Sequence, residues 1–230
     1  MGGPDAKVTD VTNVFRDIDV VCFDVFGTLV EITDRRRPFA PLTRKMTREK
    51  VSRFRQMAMT TRLTLAELDA EIEGGATIGD IVVSQAAIAR EVASTRLRSG
   101  VKELLAALPV PYGLCSNLSL DYVPTLDRFP EISPAFRVLS CHVGCMKPDP
   151  AIYAHVIEAA GVHPNRILFT GDTLAADIEG PLLAGMRAMH IDDLIAALTG
   201  GKSGPDQPDT FANAFSAARG SVSKSIDLES

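Results

Sequence analysis

The stretch Val20-Val21-Cys22-Phe23-Asp24-Val25-Phe26-Gly27-Thr28 decides the fold. Its first four residues are apolar and rich in β-formers, a run of strand length that reads as buried on both faces. Asp24 closes the run, and Gly27 with Thr28 reads as a tight exit turn whose backbone N–H groups and hydroxyl suit an anion. A carboxylate delivered by a strand to the edge of a sheet is placed as a nucleophile would be. Alone, such an Asp is more often a turn or cap residue, so its weight depends on what lies downstream.

Three downstream groups give it that weight. Ser116-Asn117 follows the apolar stretch 112–115. Lys147 lies in Gly144-Cys145-Met146-Lys147-Pro148-Asp149-Pro150. Gly171-Asp172-Thr173, with Asp177 beyond it, follows the strand pattern of 167–170. Further strand signals fall at 138–139 and 188–191, alternating with helical patterns, which is the rhythm of a parallel α/β sheet. In such a sheet the carboxyl ends of the strands share one edge, so groups far apart in sequence converge on one crevice. Here the crevice would hold three carboxylates, an ammonium and a hydroxyl.

In order and spacing, Phe23-Asp24-Val25-Phe26-Gly27-Thr28-Leu29, Ser116-Asn117, Lys147-Pro148 and Gly171-Asp172 through Asp177 resemble the four motifs of the haloacid dehalogenase superfamily of hydrolases. The resemblance spans roughly residues 19–192. It implies a Rossmann-like, doubly wound parallel sheet with a small α-helical cap inserted after the first strand. The expected core is residues 1–30 and 98–199, the cap 31–97. By the same likeness Asp24 is the nucleophile, with Ser116 and Lys147 as catalytic partners. Phe26, Gly27, Thr28 and Asn117 line the substrate.

Charge argues for a cation in that crevice, because a phosphate monoester is a dianion that would repel Asp24. Mg²⁺ meets the need with hard oxygen ligands from Asp24, Asp172 and the backbone carbonyl of Phe26, while Asp177 binds through a water or supports Lys147. Lys147 would neutralise Asp24 and one substrate oxygen, and Ser116 with the Asn117 backbone would hold another. Attack would form an aspartyl phosphate, split later by water.

Phe26 departs from the phosphatase pattern of that superfamily, which has a second Asp two residues after the nucleophile as general acid and base. Phenylalanine transfers no proton, and losing such a group typically costs about 10² to 10⁴ in rate when the leaving group needs protonation. The expected substrate is therefore a small phosphorylated metabolite with an activated leaving group. A 2-haloacid dehalogenase is the alternative, since those enzymes have an aromatic residue at this place. They work without metal, however, and carry a small polar residue where this chain has Asp172. A third reading is a non-catalytic phosphate-binding or interaction protein.

The insert carries its own signals. Thr64-Leu65-Ala66-Glu67 is a capping box ahead of Leu65, Leu68 and Ile72, with Gly74-Gly75 as the stop. Ile81, Ile88 and Val92 mark another helix. Ser99 reads as the cap of a helix bearing Val101, Leu104, Leu105 and Leu108, and Asp149-Pro150 starts one that Gly161 closes. Residues 35–62 hold ten Lys or Arg against Glu49 alone. Such a run reads either as a plain solvated helix face or as a positive lid that draws a small anionic substrate; nucleic acid is the disfavoured alternative.

Composition agrees with this architecture. The 230 residues are 46% hydrophobic with a net charge of −5, enough for one α/β core and a modest insertion. No apolar leader or span of about 18 residues occurs, and the four cysteines lie in or beside strands as reduced thiols, so the expected location is the cytoplasm. The Cys141 to Cys145 segment lacks a second ligand pair for zinc. Residues 200–230 read as a linker and a poorly ordered tail, and the expected assembly is a monomer or homodimer.

Overall fold

The computed structural model describes residues 14–199. The tail expected at 200–230 and the start of the chain, where no apolar leader is expected, lie outside the described residues.

Seven strands occur among the described residues, in chain order: β1 (Val20–Phe23), β2 (Val30–Ile32), β3 (Thr95–Leu97), β4 (Tyr112–Ser116), β5 (Phe136–Leu139), β6 (Ile167–Gly171) and β7 (Arg187–His190). Five form a parallel sheet in the order β5-β4-β1-β6-β7, so β1 is central and the order reverses beside it. This is the doubly wound arrangement expected from the sequence. Alternation along β1 sends Val21 and Phe23 into one apolar cluster with Leu104, Leu114, Leu168 and Ile191, and Cys22 into another with Cys115, Ile152, Val156 and Phe169. Two buried faces account for the unbroken apolar run.

The nine helices among the described residues are α1 (Ala40–Thr43), α2 (Arg48–Thr60), α3 (Leu65–Ile72), α4 (Ile78–Ala93), α5 (Val101–Ala107), α6 (Ser140–Val143), α7 (Pro150–Ala160), α8 (Gly180–Leu183) and α9 (Ile191–Thr199). The first four lie between β2 and β3, which pair antiparallel as a two-stranded ribbon. The ribbon has no counterpart in the sequence reading, because three-residue strands are too short for a periodicity signal. The insert is pinned to the sheet domain: α2 packs on α6, and α4 on a 3₁₀ turn at Leu120–Asp127. The apolar cluster on the Phe23 face continues into Leu42, Phe54, Leu65 and Ile88 of the insert.

Local helix signals hold where capping chemistry is explicit. Thr64 accepts from the Glu67 N–H while Glu67 accepts from the Thr64 N–H at 2.8 Å, and Asp149 caps α7, which Gly161 ends in the left-handed region. Two details differ. Gly100 rather than Ser99 caps α5, turning the chain with φ 81°. Leu108 falls outside α5 with extended backbone because Pro109 disfavours helix in the residue before it. The stop of α3 is Glu73, left-handed at φ 52°, one residue ahead of the expected glycines.

Candidate active site

β1, β4 and β6 are neighbours in the sheet, so their carboxyl ends bring Asp24, Ser116 and Asp172 to one edge. Asp24 is 7% exposed, and its N–H donates to Thr170 O at 2.9 Å, extending the strand pairing by one residue. Lys147 Nζ donates to Asp24 Oδ1 at 2.8 Å, to Asp177 Oδ1 at 2.7 Å and to the Cys115 carbonyl at 3.0 Å. All three of its donors are thus placed, and the ammonium is nearly sealed from solvent at 4% residue exposure. Thr28 Oγ1 donates to Asp24 Oδ2 at 3.2 Å, and Ser116 Oγ approaches Asp24 Oδ1 at 3.4 Å.

The three carboxylates offer oxygens within 4.8 Å of one another. They are not equivalent. Both oxygens of Asp177 are engaged, one by Lys147 and the other by the Thr173 N–H at 3.0 Å. Asp172 is exposed, and among the described residues its Oδ1 accepts only from Thr173 Oγ1 at 3.2 Å. Of the two roles expected for Asp177, its bonds therefore match support of Lys147. Burial would lower the Lys147 pKa, but Asp24 and Asp177 outweigh it and hold the ammonium charged well above the ordinary lysine range. Burial pushes the Asp177 carboxyl up, against the pull of Lys147. The Cys115 thiol, also buried, is pushed up to about 12, which makes it an inert neighbour.

Two close approaches need glycine. A Cβ on Gly27 would lie 2.2 Å from Asp172 Oδ2, and one on Gly171 would lie 2.3 Å from Asp177 Cγ. Gly27 also has φ 91°. Gly27→Ala is accordingly expected to displace Asp172 and cost about 1–3 kcal/mol from backbone strain, read as a lowered midpoint in thermal unfolding.

Some expected roles take a different form. The N–H of Gly27 donates to Val30 O at 2.8 Å and that of Thr28 to Val25 O at 3.3 Å, so the turn consumes the donors that were read as anion ligands. The Thr28 hydroxyl serves Asp24 rather than standing free. The Asn117 side chain clasps the Lys147 backbone, accepting from its N–H and donating to its carbonyl, both at 2.8 Å. That clasp, which fixes where the lysine starts, had no signal in the sequence.

Phe26 packs edge-on against Tyr122, ring centroids 5.9 Å apart, and the Tyr122 hydroxyl donates to the buried carboxylate of Glu91 at the end of α4. Burial and that carboxylate push the phenol pKa up, so Tyr122 stays neutral. An apolar wall thus stands two residues after Asp24. Arg98 reaches the same turn from β3's end, donating to Gly27 O at 3.3 Å and to Asp192 Oδ1 at 2.5 Å.

A doubly wound parallel sheet whose central strand ends in a lysine-paired carboxylate defines an α/β protein with an acidic site at its switch point. The chain belongs to the haloacid dehalogenase-like hydrolase family, whose model matches residues 18–185. It is 33% identical over 86 residues to the phosphoserine phosphatase of Thermus thermophilus, covering 35% of this chain and 34% of that protein. This chain therefore aligns with only about a third of that relative's length. Among solved structures, the magnesium complex of a HAD family enzyme from Bacteroides thetaiotaomicron superposes with a TM-score of 0.60 at 18% identity, covering 87% of this chain and 99% of that one. A 2-haloacid dehalogenase from Pseudomonas syringae gives 0.53 at 18% identity, covering 83% and 90%.

Proposed function

We propose that this protein is a Mg²⁺-dependent hydrolase that transfers the phosphoryl group of a small phosphorylated metabolite to Asp24 and then to water. The observation that carries the reading is Lys147, buried between Asp24 and Asp177 while Asp172 stands open beside them. One ammonium against three carboxylates leaves negative charge in a site of oxygen donors only, which fits a hard divalent cation held by Asp24, Asp172 and the Phe26 carbonyl. Bound there, Mg²⁺ would supply charge neutralisation for a dianionic substrate. Similarity to the phosphoserine phosphatase of Thermus thermophilus supports the same class.

The chain's residues then divide the work. Asp24 attacks phosphorus as the bond to the leaving group breaks. Lys147, its three N–H donors already held by Asp24, Asp177 and the Cys115 carbonyl, offsets the charge of Asp24, while Ser116 with the Asn117 backbone holds a phosphoryl oxygen. Water cleaves the aspartyl phosphate, releasing phosphate and restoring the carboxylate. Residues 31–97 act as a cap over the crevice. The leaving group departs unprotonated, because Phe26 and Tyr122 place no acid there. Four free cysteines, three of them buried, suit a reducing compartment such as the cytoplasm.

Phe26→Asp is expected to raise turnover of an unactivated alkyl phosphate by about 10² or more, the gain associated with a general acid, while changing acetyl phosphate turnover little. The function itself is tested by product release from p-nitrophenyl phosphate, acetyl phosphate and 2-chloropropionate, each with Mg²⁺ or EDTA. Phosphate release that needs Mg²⁺ is the expected result. Chloride release persisting in EDTA would make the protein a dehalogenase, the reading that the aromatic Phe26 favours. Phosphate binding without turnover would make it a binding protein.

A further inference from the structure

A cleft of about 470 Å³ opens beside the turn that follows Asp24, lined by Gly27, Glu31, Thr33, Arg35, Arg96 and Arg98 among others. Gly27 belongs both to this wall and to the acidic cluster, since its Cα faces the Asp172 carboxylate. The cleft therefore shares the Gly27 turn with the proposed reaction centre. Its charge comes from the ribbon: Glu31 lies opposite Arg96 in the β2–β3 register, and Arg98 follows two residues on, on the same face.

The three guanidinium groups differ in what they already hold. Arg96 donates from Nε and Nη2 to Glu31 Oε2, both at 3.1 Å, and Arg98 is committed to Gly27 O and Asp192. Arg35 is exposed and makes no hydrogen bond or ion pair among the described residues. A cleft with three arginines and one glutamate favours an anion, and the planar fork of arginine matches carboxylate or phosphate oxygens. The transferred phosphoryl group has its own partners in Ser116 and the Asn117 backbone. A second cationic subsite is thus available for a different part of the substrate.

We propose that this cleft receives the leaving group and that the leaving group bears its own anion, a carboxylate or a second phosphate, held by Arg35 with Arg96 as a partner. The inference rests on the phosphohydrolase reading and names its substrate class as doubly anionic. Glu31 tunes the subsite by occupying Arg96.

Calorimetric binding with Mg²⁺ present tests it, using three non-hydrolysable ligands: meta-carboxyphenylphosphonate, meta-phenylenediphosphonate and the neutral meta-carbamoylphenylphosphonate. The wild type is expected to bind at least one anionic-tailed ligand about tenfold tighter than the amide, and the tighter of the two identifies the tail. Arg35→Ala should erase that preference. Glu31→Gln, which frees Arg96, should enlarge it by about threefold, a gain that misfolding cannot mimic. Equal affinity for all three ligands, a preference untouched by Arg35→Ala, or no binding at all would overturn the inference. Turnover of p-nitrophenyl phosphate without a tail preference would sink this inference alone. A tail preference in a protein without turnover would keep the cleft and sink the hydrolase reading.

Discussion

Replacing Lys147 with methionine is expected to destabilise the protein by about 3–5 kcal/mol, because breaking a buried ion pair leaves its partners uncompensated. For a chain of this size that is a fall in melting temperature of about 6–20 °C. The ammonium is 2% exposed at its side chain and bonds two carboxylates that are 10% and 1% exposed, so neither would regain full hydration in the variant. The deficit should depend on pH in a defined direction. Asp177 already titrates above the ordinary carboxylate range through burial, and removal of Lys147 raises it further. A carboxyl whose folded pKa exceeds its unfolded value contributes stability below the unfolded pKa and loses it as pH rises through the folded one. The gap between wild type and Lys147→Met should therefore be widest at neutral pH and narrow on acidification through the carboxylate range. Thermal melts of both proteins from neutral pH down to mildly acid conditions check this. Equal melting temperatures at neutral pH would show that the buried pairs are energetically idle.

Asp24→Asn is expected to abolish phosphoryl transfer, with a loss on the order of 10⁴ or more in turnover, since the amide oxygen is a poor nucleophile and no second group is placed to replace it. The Thr28 and Ser116 hydroxyls, 3.2 and 3.4 Å from the Asp24 carboxylate, have no imidazole or other base in their hydrogen bonds among the described residues. The fold should persist, because Lys147 keeps Asp177, the Cys115 carbonyl and the amide oxygen, while the amide NH2 can donate to the Thr28 hydroxyl. Binding of inorganic phosphate should also survive, which separates lost chemistry from lost binding. Single-turnover phosphate release from acetyl phosphate measures it. Undiminished turnover in the variant would remove Asp24 from the mechanism.

Read alone, the sequence supplied the parts of this protein whose causes are local. The apolar run of β1 and its terminal Asp24, the Thr64 capping box and the Asp149 to Gly161 helix each depend on residues a few positions apart, where side-chain period and cap chemistry act directly. The strand ends at Ser116 and Asp172 were legible for the same reason, and the sheet rule placed them on one edge. The shared roles were not legible. That Asp177 serves Lys147 while Asp172 stays open, that Asn117 clasps the Lys147 backbone 30 residues away, and that Tyr122 ties Phe26 to Glu91 follow from distances of closest packing. The arginine cleft likewise exists only because β2 and β3, about sixty residues apart in sequence, pair in one register. Sequence determined which groups reach the edge of the sheet. Tertiary structure alone decided which of them are paired with one another and which remain open to a substrate, because those pairings are set by packing between segments that share no local pattern.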